Sequence, residues 1–240
     1  AGSWRLRAEE AADTTQSSIA PRRAPPTIYM GRRIAPTMHY SGADWLTRTT
    51  REQEEKPQEL LDALKLQRGQ TLCDFGCGNG YHTLQLARRV GPRGTVVAVD
   101  IQPEMLEMLQ SRATPRGLEN VELLLVDPIK PELPAERFHL VLMVDVYHEV
   151  SDPAAVLAAV RKSLRPEGRL VLVEFREEDP SVPIRPLHKM SQEQVLKELQ
   201  PAGYKLVGQY DQLPWQHVLF FARSDSPQEA IELTPWKPEE

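Results

Sequence analysis

A run of three glycines behind an aspartate is the part of this sequence whose residue types and spacing point most directly to chemistry. The run reads Asp74-Phe75-Gly76-Cys77-Gly78-Asn79-Gly80 and begins at the end of the apolar segment TLCDF. Glycine allows positive φ and lets the backbone approach a ligand closely. The amphipathic segment YHTLQLARRV follows at once, and a helix that begins there offers N–H groups without a partner. The pattern predicts a ligand-binding turn between a strand and a helix.

Three kinds of ligand occur at glycine turns of this type, and the neighbouring residues distinguish them. A phosphate-binding loop requires Lys followed by Ser or Thr, where this chain has Tyr81-His82. A dinucleotide turn requires G-x-G-x-x-G, but the last position is Tyr81 counted from Gly76 and Thr83 counted from Gly78. The spacing D-x-G-x-G-x-G is satisfied, and its carboxylate would repel a pyrophosphate. S-adenosylmethionine fits better, because it carries a sulfonium and an ammonium and no phosphate.

Three further aspartates each close an apolar run, and they support the same kind of site. Asp100 ends the run TVVAVD, Asp127 ends VELLLVD, and Asp145 lies near the end of HLVLMVDV. An aspartate at a strand end is often only a turn former or a helix cap. Three of them in addition to the glycine motif are difficult to obtain by chance, so we interpret them as parts of one ligand site.

The elements that must bring these residues together alternate along the chain. Continuous apolar runs predict strands that are buried on both faces, and amphipathic segments between them predict helices. The last two runs, YKLVGQY and HVLFFA, are joined by DQLPWQ, which is too short for a parallel crossover. The sequence therefore predicts an α/β fold with a doubly wound, mostly parallel seven-stranded sheet and an antiparallel last strand. In such sheets, ligands bind outside the carboxyl ends of the strands.

Composition divides the chain into four parts. Residues 1–27 predict a flexible, polar N-terminal arm, and residues 28–59 predict an N-terminal cap segment. Residues 60–223 contain the alternating pattern and predict the ligand-binding domain. Residues 224–240 predict a polar C-terminal tail, whose apolar Ile231, Leu233 and Trp236 could dock on the body.

Charge and cysteine content restrict the partners and the compartment. The 240 residues carry a formal net charge of −5, which excludes a global basic surface of the kind that concentrates nucleic acid or anionic lipid. No apolar run approaches the ~20 residues of a membrane span. The two cysteines lie four positions apart in a strand-to-loop segment, beyond disulfide reach. We expect a cytoplasmic protein that binds neither nucleic acid nor membrane, and we leave open its oligomeric state and the removal of a leader before Ala1.

With these elements in place, residues 60–222 resemble the class I S-adenosylmethionine-dependent methyltransferases, and in particular a bacterial subgroup of unassigned substrate. The resemblance implies the Rossmann-like methyltransferase fold, with S-adenosylmethionine as cofactor. Asp100 corresponds to the family's acid at the ribose hydroxyls, Asp127 to its acid near the adenine amino group, and Asp145 to the passage of the methionine end. The implied cofactor-binding set is Asp74, Gly76, Cys77, Gly78, Asn79, Gly80, Asp100, Ile101, Asp127, Pro128 and Asp145.

Whether the reaction of such a protein needs a general base depends on its acceptor, because a thiolate or an already neutral amine needs none. Methyl transfer is an in-line displacement, so the protein mainly aligns a nucleophile and excludes water. A hydroxyl, a phenol or a protonated amine also has to lose a proton. His148 in DVYHEV follows the fourth predicted strand, and histidine titrates near neutral pH. We predict His148 as the catalytic base; the alternative is a purely structural hydrogen bond.

The acceptor pocket is expected to be lined by further histidines and aromatic residues. The predicted set is His39, Tyr40, Trp45, Tyr147, His188, Trp215 and His217. Ordinary packing of the cap segment against the body is the alternative for the aromatic residues. Convergence of His39, His148, His188 and His217 on a metal is an alternative, but none of them has a close ligand spacing such as H-x-x-x-H, and we predict no metal.

The sequence as a whole predicts an enzyme. We expect it to transfer a methyl group from S-adenosylmethionine to an oxygen, nitrogen or sulfur atom of a small-molecule acceptor. Two alternatives stay open at this point: methylation of a protein side chain, and a protein that binds the cofactor without catalysis. A nicotinamide-dependent dehydrogenase is disfavoured by the glycine spacing.

Overall fold

The computed structural model describes residues 27–238, so nearly all of the predicted N-terminal arm lies outside the described residues. The strands of that part are β1 (Ile28–Tyr29), β2 (Arg32–Arg33), β3 (Thr71–Phe75), β4 (Thr95–Asp100), β5 (Val121–Leu125), β6 (Phe138–Val144), β7 (Leu164–Arg176), β8 (Lys189–Met190), β9 (Tyr204–Tyr210) and β10 (Gln216–Arg223). Its α-helices are α1 (Arg51–Glu55), α2 (Pro57–Ala63), α3 (Thr83–Val90), α4 (Pro103–Ala113), α5 (Pro153–Ser163) and α6 (Gln192–Leu199). Short 3₁₀ helices lie at Tyr40–Thr47, Thr114–Arg116, Tyr147–Glu149 and Pro186–His188. No helix within residues 27–238 is long and apolar enough to cross a bilayer.

One sheet of eight strands forms the centre of the molecule. Its order is β5-β4-β3-β6-β7-β10-β9, and the short β8 pairs with β7. Strands β3 to β7 run parallel to one another, whereas β10 is antiparallel to both β7 and β9. The predicted fold class, including the antiparallel last strand, is confirmed. The eighth strand, β8, was not predicted, because two residues are too few to form a sequence pattern.

Strand β3 is the point where the order of the sheet reverses. Its neighbours are β4 on one side and β6 on the other, and the chain leaves β3 directly into the glycine turn. A crevice opens at such a reversal because the two following crossover connections diverge to opposite faces. The carboxyl ends of β3, β4 and β6 therefore surround the place where a ligand would bind.

Helices cover both faces of the sheet, as the buried strands require. One face packs against α2, α3 and α4, through residues such as Leu60, Leu86 and Leu109. The other packs against α5 and α6, through residues such as Leu157 and Val195. Each fully buried side chain of this size contributes about 1.5–3 kcal/mol. These two layers hold the strand ends of the site in fixed positions.

The C-terminal tail lies along the body. The Ile231 N–H donates to the Leu206 carbonyl at 2.9 Å, and the Trp236 N–H donates to the Gln192 side-chain oxygen at 2.9 Å. Leu233 packs against the core layer of α5 and α6. The three apolar residues of the tail therefore have specific partners in the folded domain.

The sequence pattern of TREQEEKPQELLDALKL predicts one continuous helix before β3. The structure has two helices there instead. Helix α1 ends at Glu55, Lys56 has φ +44°, and α2 begins at Pro57. Proline lacks an N–H, and its ring disfavours helical geometry in the preceding residue. The break turns α1 away from α2, so that α1 can reach the carboxyl edge of the sheet.

Replacing the last glycine of the turn should lower the stability of the protein. Gly80 has φ +83°, and a Cβ atom placed there would overlap the side chain of Leu109, which is fully buried. Gly117 has φ +63° but no atom within 4 Å of such a Cβ. Gly80→Ala should therefore lose about 1–3 kcal/mol more unfolding free energy than Gly117→Ala, because only the first adds an overpacking cost. Denaturant unfolding of both variants measures the difference, and equal losses would contradict the packing argument.

Candidate functional site

A cavity of about 740 Å³ opens at the carboxyl ends of β3, β4 and β6. The glycine turn and the strand ends form its floor, with Gly76, Gly78, Asp100 and Asp145. The segment after β5 adds Val126, Asp127 and Pro128. The cap segment contributes Pro36, Thr37, Met38, Trp45, Leu46, Arg51 and Glu55, and the loop after β7 contributes Pro183, Ile184, Arg185 and His188. Segments that are far apart in sequence thus enclose one space.

Asp100, at the end of β4, fixes the glycine turn. One carboxylate oxygen accepts from the Gly78 N–H at 2.9 Å, and the other accepts from the Gln102 N–H at 2.9 Å. Burial raises the pKa of Asp100, while these backbone donors act in the opposite direction. A carboxylate has about four acceptor positions, so Asp100 retains capacity to accept hydrogen bonds from a ligand in the cavity.

Asp74 lies beneath the turn rather than in the cavity. Its carboxylate accepts from the hydroxyl of Thr83, at the start of α3. Burial raises its pKa to about 6, against the opposing hydrogen bond from Thr83. Asp74 therefore ties the end of β3 to the helix that follows the turn, and in this position it supports the site without facing the ligand space.

The other predicted cofactor residues divide into two groups. Ile101, Asp127 and Pro128 line the cavity, together with Gly76, Gly78, Asp100 and Asp145. Cys77, Asn79 and Gly80 do not line it. The Asn79 side chain instead donates to the Ala43 carbonyl at 3.0 Å and so links the turn to the cap segment.

Asp145 carries a buried oxygen that has no partner. The residue has φ +54° just beyond β6, and its Oδ2 accepts from the Gln216 side chain at 2.8 Å. Its Oδ1 is buried without a hydrogen bond. Burial raises the pKa of Asp145 well above its usual range, and the nearby Glu55 and Glu174 add to the shift. Because a buried unpaired acceptor is costly, the cavity provides a place for a donor group, and a cationic one satisfies it best.

A buried ion pair from the cap segment lies at the same end of the cavity. The Arg51 side chain donates to Glu55 at 2.7 Å and to the Leu46 carbonyl at 2.7 Å. Both charged residues are at least 96% buried, with 4% and 2% of their surfaces exposed. Positive and negative groups are thus held side by side next to Asp145, an arrangement that suits the ammonium and carboxylate of an amino acid.

His148 lies between a buried glutamate and a second histidine. Its Nδ1 is 2.6 Å from Glu174 Oε2 on β7, and its Nε2 is 3.1 Å from His188 Nδ1. Burial opposes a charge on His148, but Glu174 and then Glu149 outweigh it and raise the pKa to about 10. The pKa of His188 is lowered, by burial and then by His148. Such a pKa favours a His148 that already holds a proton, and the general-base role stays a prediction.

Glu149 completes this cluster. Its Oε2 accepts from the Met38 N–H at 3.0 Å, and its Oε1 is 3.4 Å from His188 Nδ1 and 3.7 Å from His148 Nε2. The cap segment also donates to the His148 carbonyl, from the Ala35 N–H at 3.1 Å and from the Arg32 side chain at 3.1 Å. The cap therefore holds the turn after β6 in place.

Two of the predicted acceptor residues line the cavity. They are His188 and Trp45, and the Arg48 guanidinium lies 3.7 Å from the centre of the Trp45 ring. His39 does not line it: its side chain accepts from the Ser41 N–H and caps the 3₁₀ helix of the cap segment. Tyr40 follows in that helix, and its N–H donates to the Gln102 side chain at 2.8 Å.

The remaining predicted acceptor residues do not line the cavity, and each has a structural partner. Tyr147 is fully buried and donates its hydroxyl to Glu198 at 2.8 Å. His217 is fully buried, with Nε2 2.9 Å from the Met190 carbonyl. Trp215 packs beside Phe175. For these three residues, packing accounts for the observed positions.

Sequence reasoning missed four charged residues of the site. Arg51 and Glu55 read as part of an ordinary surface helix, and no local signal distinguishes them. Glu149 directly follows the predicted His148 and was passed over. Glu174 did carry a signal: it is an acid within the buried run RLVLVEF, and a carboxylate in such a run requires a partner.

Comparison with known proteins agrees with this geometry. The family model for the methyltransferase domain matches residues 66–223. The nocamycin O-methyltransferase of Saccharothrix syringae is 38% identical over 115 residues, which cover 48% of this chain and 41% of that protein. The aklanonic acid methyltransferase of Streptomyces sp. (strain C5) is 36% identical over 104 residues, which cover 43% of this chain and 46% of that protein. The chain thus spans less than half the length of these two relatives.

A solved structure extends the similarity to the whole domain. The crystal structure of a SAM-dependent methyltransferase from Aquifex aeolicus superposes with a TM-score of 0.72 at 25% identity, over 77% of this chain and 98% of that chain. The matched region contains the sheet, the glycine turn and the strand ends that form the cavity. The chain therefore belongs to the methyltransferase domain family, within the class I S-adenosylmethionine-dependent methyltransferases.

Proposed function

We propose that the protein transfers a methyl group from S-adenosylmethionine to a small-molecule acceptor bound in the same cavity. The observation that carries this proposal is one continuous cavity of about 740 Å³, which joins the glycine turn to His148 and His188. Its volume lies within the range of about 300–1,000 Å³ that small-molecule sites occupy. The cap segment and the loop after β7 both contribute walls to it, which favours a small acceptor over a side chain on a folded protein.

The residues at the floor fit the cofactor. Asp100 would accept hydrogen bonds from the ribose hydroxyls, and Ile101, Val126 and Pro128 offer apolar surface for the adenine. Asp145, with its unpartnered oxygen, and the Arg51–Glu55 pair would hold the amino-acid end. When bound, the cofactor supplies an electrophilic methyl group: a bond from the acceptor atom to that carbon forms while the carbon–sulfur bond breaks and its electron pair stays on sulfur.

The protein's own part in the reaction is positioning, exclusion of water and control of the acceptor proton. The cap segment and the apolar Pro183 and Ile184 would keep water from the reacting groups. His148 and His188 line the same cavity as Asp145, so an acceptor bound there would lie near these two polar groups. Both the relative named for nocamycin and the relative named for aklanonic acid support a small-molecule acceptor, and the name of the first, an O-methyltransferase, supports oxygen as the methylated atom.

A labelling experiment tests the proposed function. The protein is incubated with methyl-labelled S-adenosylmethionine and a panel of small phenols, alcohols, amines and thiols, alongside a metabolite extract. We expect the label to appear in a small-molecule product. Label confined to a protein fraction would overturn the small-molecule acceptor, and cofactor binding with no transfer to any fraction would indicate a binding protein.

Replacing Asp100 should weaken cofactor binding. Asp100→Ala removes the ribose acceptor and the support of the Gly78 N–H, so cofactor binding should weaken by about 1.5–3 kcal/mol. Asp62→Ala is the matched control, because Asp62 is 71% exposed in a surface ion pair with Arg89; pairs of this kind contribute little. Calorimetry on folded variants measures both affinities, and an unchanged affinity for Asp100→Ala would place the ribose elsewhere.

Replacing His148 should lower the rate of methyl transfer without weakening cofactor binding. His148→Ala should lower turnover per folded molecule by roughly 10²–10⁴, with little change in affinity for S-adenosylmethionine. It should also reduce thermal stability, because Glu174 is left buried without its imidazole partner. His139→Ala, at the opposite end of β6, is the control. Near-normal turnover of the His148 variant would remove this residue from the reaction.

A further inference from the structure

Three atoms that are good metal ligands converge at the acceptor end of the cavity. They are His148 Nε2, His188 Nδ1 and Glu149 Oε1, and their separations are 3.1, 3.4 and 3.7 Å. The three side chains are 3%, 29% and 15% exposed, in the order His148, His188, Glu149. Two imidazoles with one carboxylate are a recognised ligand set for zinc and related ions.

The separations agree with a four-coordinate metal. Metal–nitrogen and metal–oxygen bonds of about 2.0–2.2 Å in a tetrahedron place neighbouring ligand atoms about 3.3–3.6 Å apart. The three observed distances bracket that spacing. The His148 and His188 rings are nearly perpendicular, at 87°, and their centroids are 5.2 Å apart. The rings therefore meet through nitrogen atoms and not by stacking.

Two outer contacts hold the ligands in the orientation that a metal requires. Glu174 accepts from His148 Nδ1 at 2.6 Å, which directs Nε2 at the cluster, where a metal ion would replace the proton that this nitrogen otherwise holds. A carboxylate behind a ligating histidine is typical of zinc sites. The Met38 N–H binds the other oxygen of Glu149 at 3.0 Å and so keeps Oε1 toward the two histidines.

We propose that His148, Glu149 and His188 bind one divalent transition-metal ion of the zinc class, with a fourth coordination position open to the cavity. The three ligating residues all line that cavity. The sequence predicted no metal, because His148 and His188 are separated by 39 intervening residues. Only the loop after β7 brings them together.

The open position gives the ion a role in the proposed reaction, and this second step rests on the proposed function. A divalent metal lowers the pKa of a bound oxygen ligand. A hydroxyl or phenol of the acceptor would release its proton to solvent on coordination. The resulting oxygen anion would then form a bond to the methyl carbon as the carbon–sulfur bond breaks. In this role His148 holds a metal instead of accepting a proton, and the acceptor atom is oxygen.

Metal binding can be measured without the cofactor or any turnover. The 240-residue chain is freed of metal with a chelator and titrated with Co²⁺, whose visible spectrum reports a four-coordinate site, and then with Zn²⁺. We expect one equivalent of Co²⁺ to bind and to be displaced by Zn²⁺. His188→Ala should abolish the spectrum, and because His188 is partly exposed, its loss should leave the fold intact.

Two further variants distinguish this site from adventitious binding. Glu174→Gln retains all three ligands and should weaken the metal affinity about 10–100-fold, the usual effect of altering an outer-shell partner. His139→Ala should bind Co²⁺ as the wild type does. Failure of folded wild-type protein to bind Co²⁺ or Zn²⁺, or equal affinity in His188→Ala, would overturn the site.

Methyl transfer with and without metal tests the second step. Chelator treatment should abolish labelled-product formation while the affinity for S-adenosylmethionine is retained, and added Zn²⁺ should restore the product. Turnover that is insensitive to the chelator would refute the role of the metal and leave the proposed function standing. If the untreated protein does not bind S-adenosylmethionine, that result would instead count against the proposed function.

Discussion

The contact between Glu174 and His148 is the interaction on which the acceptor end of the molecule depends. Glu174 is fully buried in the centre of the sheet, and it binds both the His148 ring and the Tyr147 N–H. A carboxylate in that position is costly unless it is paired. The turn after β6 is therefore held to β7, and the cap segment is held to the turn through the His148 carbonyl. The pair thereby fixes the wall of the cavity that an acceptor would meet.

The cofactor end depends on a comparable arrangement of carboxylates. Asp74 ties the glycine turn to α3, Asp100 binds the turn from the neighbouring strand, and Asp145 leaves one oxygen for a ligand. Each lies at the carboxyl end of a parallel strand, and parallel strands gather those ends at one edge of the sheet. Burying these three carboxylates costs free energy, and all three lie where a cationic ligand that donates hydrogen bonds can offset that cost. The two apolar layers of the sheet supply the stability that this concentration requires.

Sequence reasoning succeeded where a pattern is local. Buried runs predicted the sheet, and the strand-closing Asp100 and Asp145 both line the cavity. It was less informative where position depends on tertiary packing: α1 reaches the site only because Pro57 breaks the helix, and His188 arrives on an irregular loop. Tyr147, in the 3₁₀ helix after β6, and His217, on β10, are directed into the core instead, where Glu198 and the Met190 carbonyl are their partners.

A crystal structure with bound S-adenosylhomocysteine would test most directly the central claim, that one cavity holds the cofactor at the glycine turn and the acceptor at His148 and His188. We expect ribose hydroxyls within hydrogen-bond distance of Asp100, an ammonium on Asp145, and a sulfur atom that faces His148 and His188. A ligand bound with its amino-acid end away from Asp145, or with its ribose out of reach of Asp100, would contradict the account.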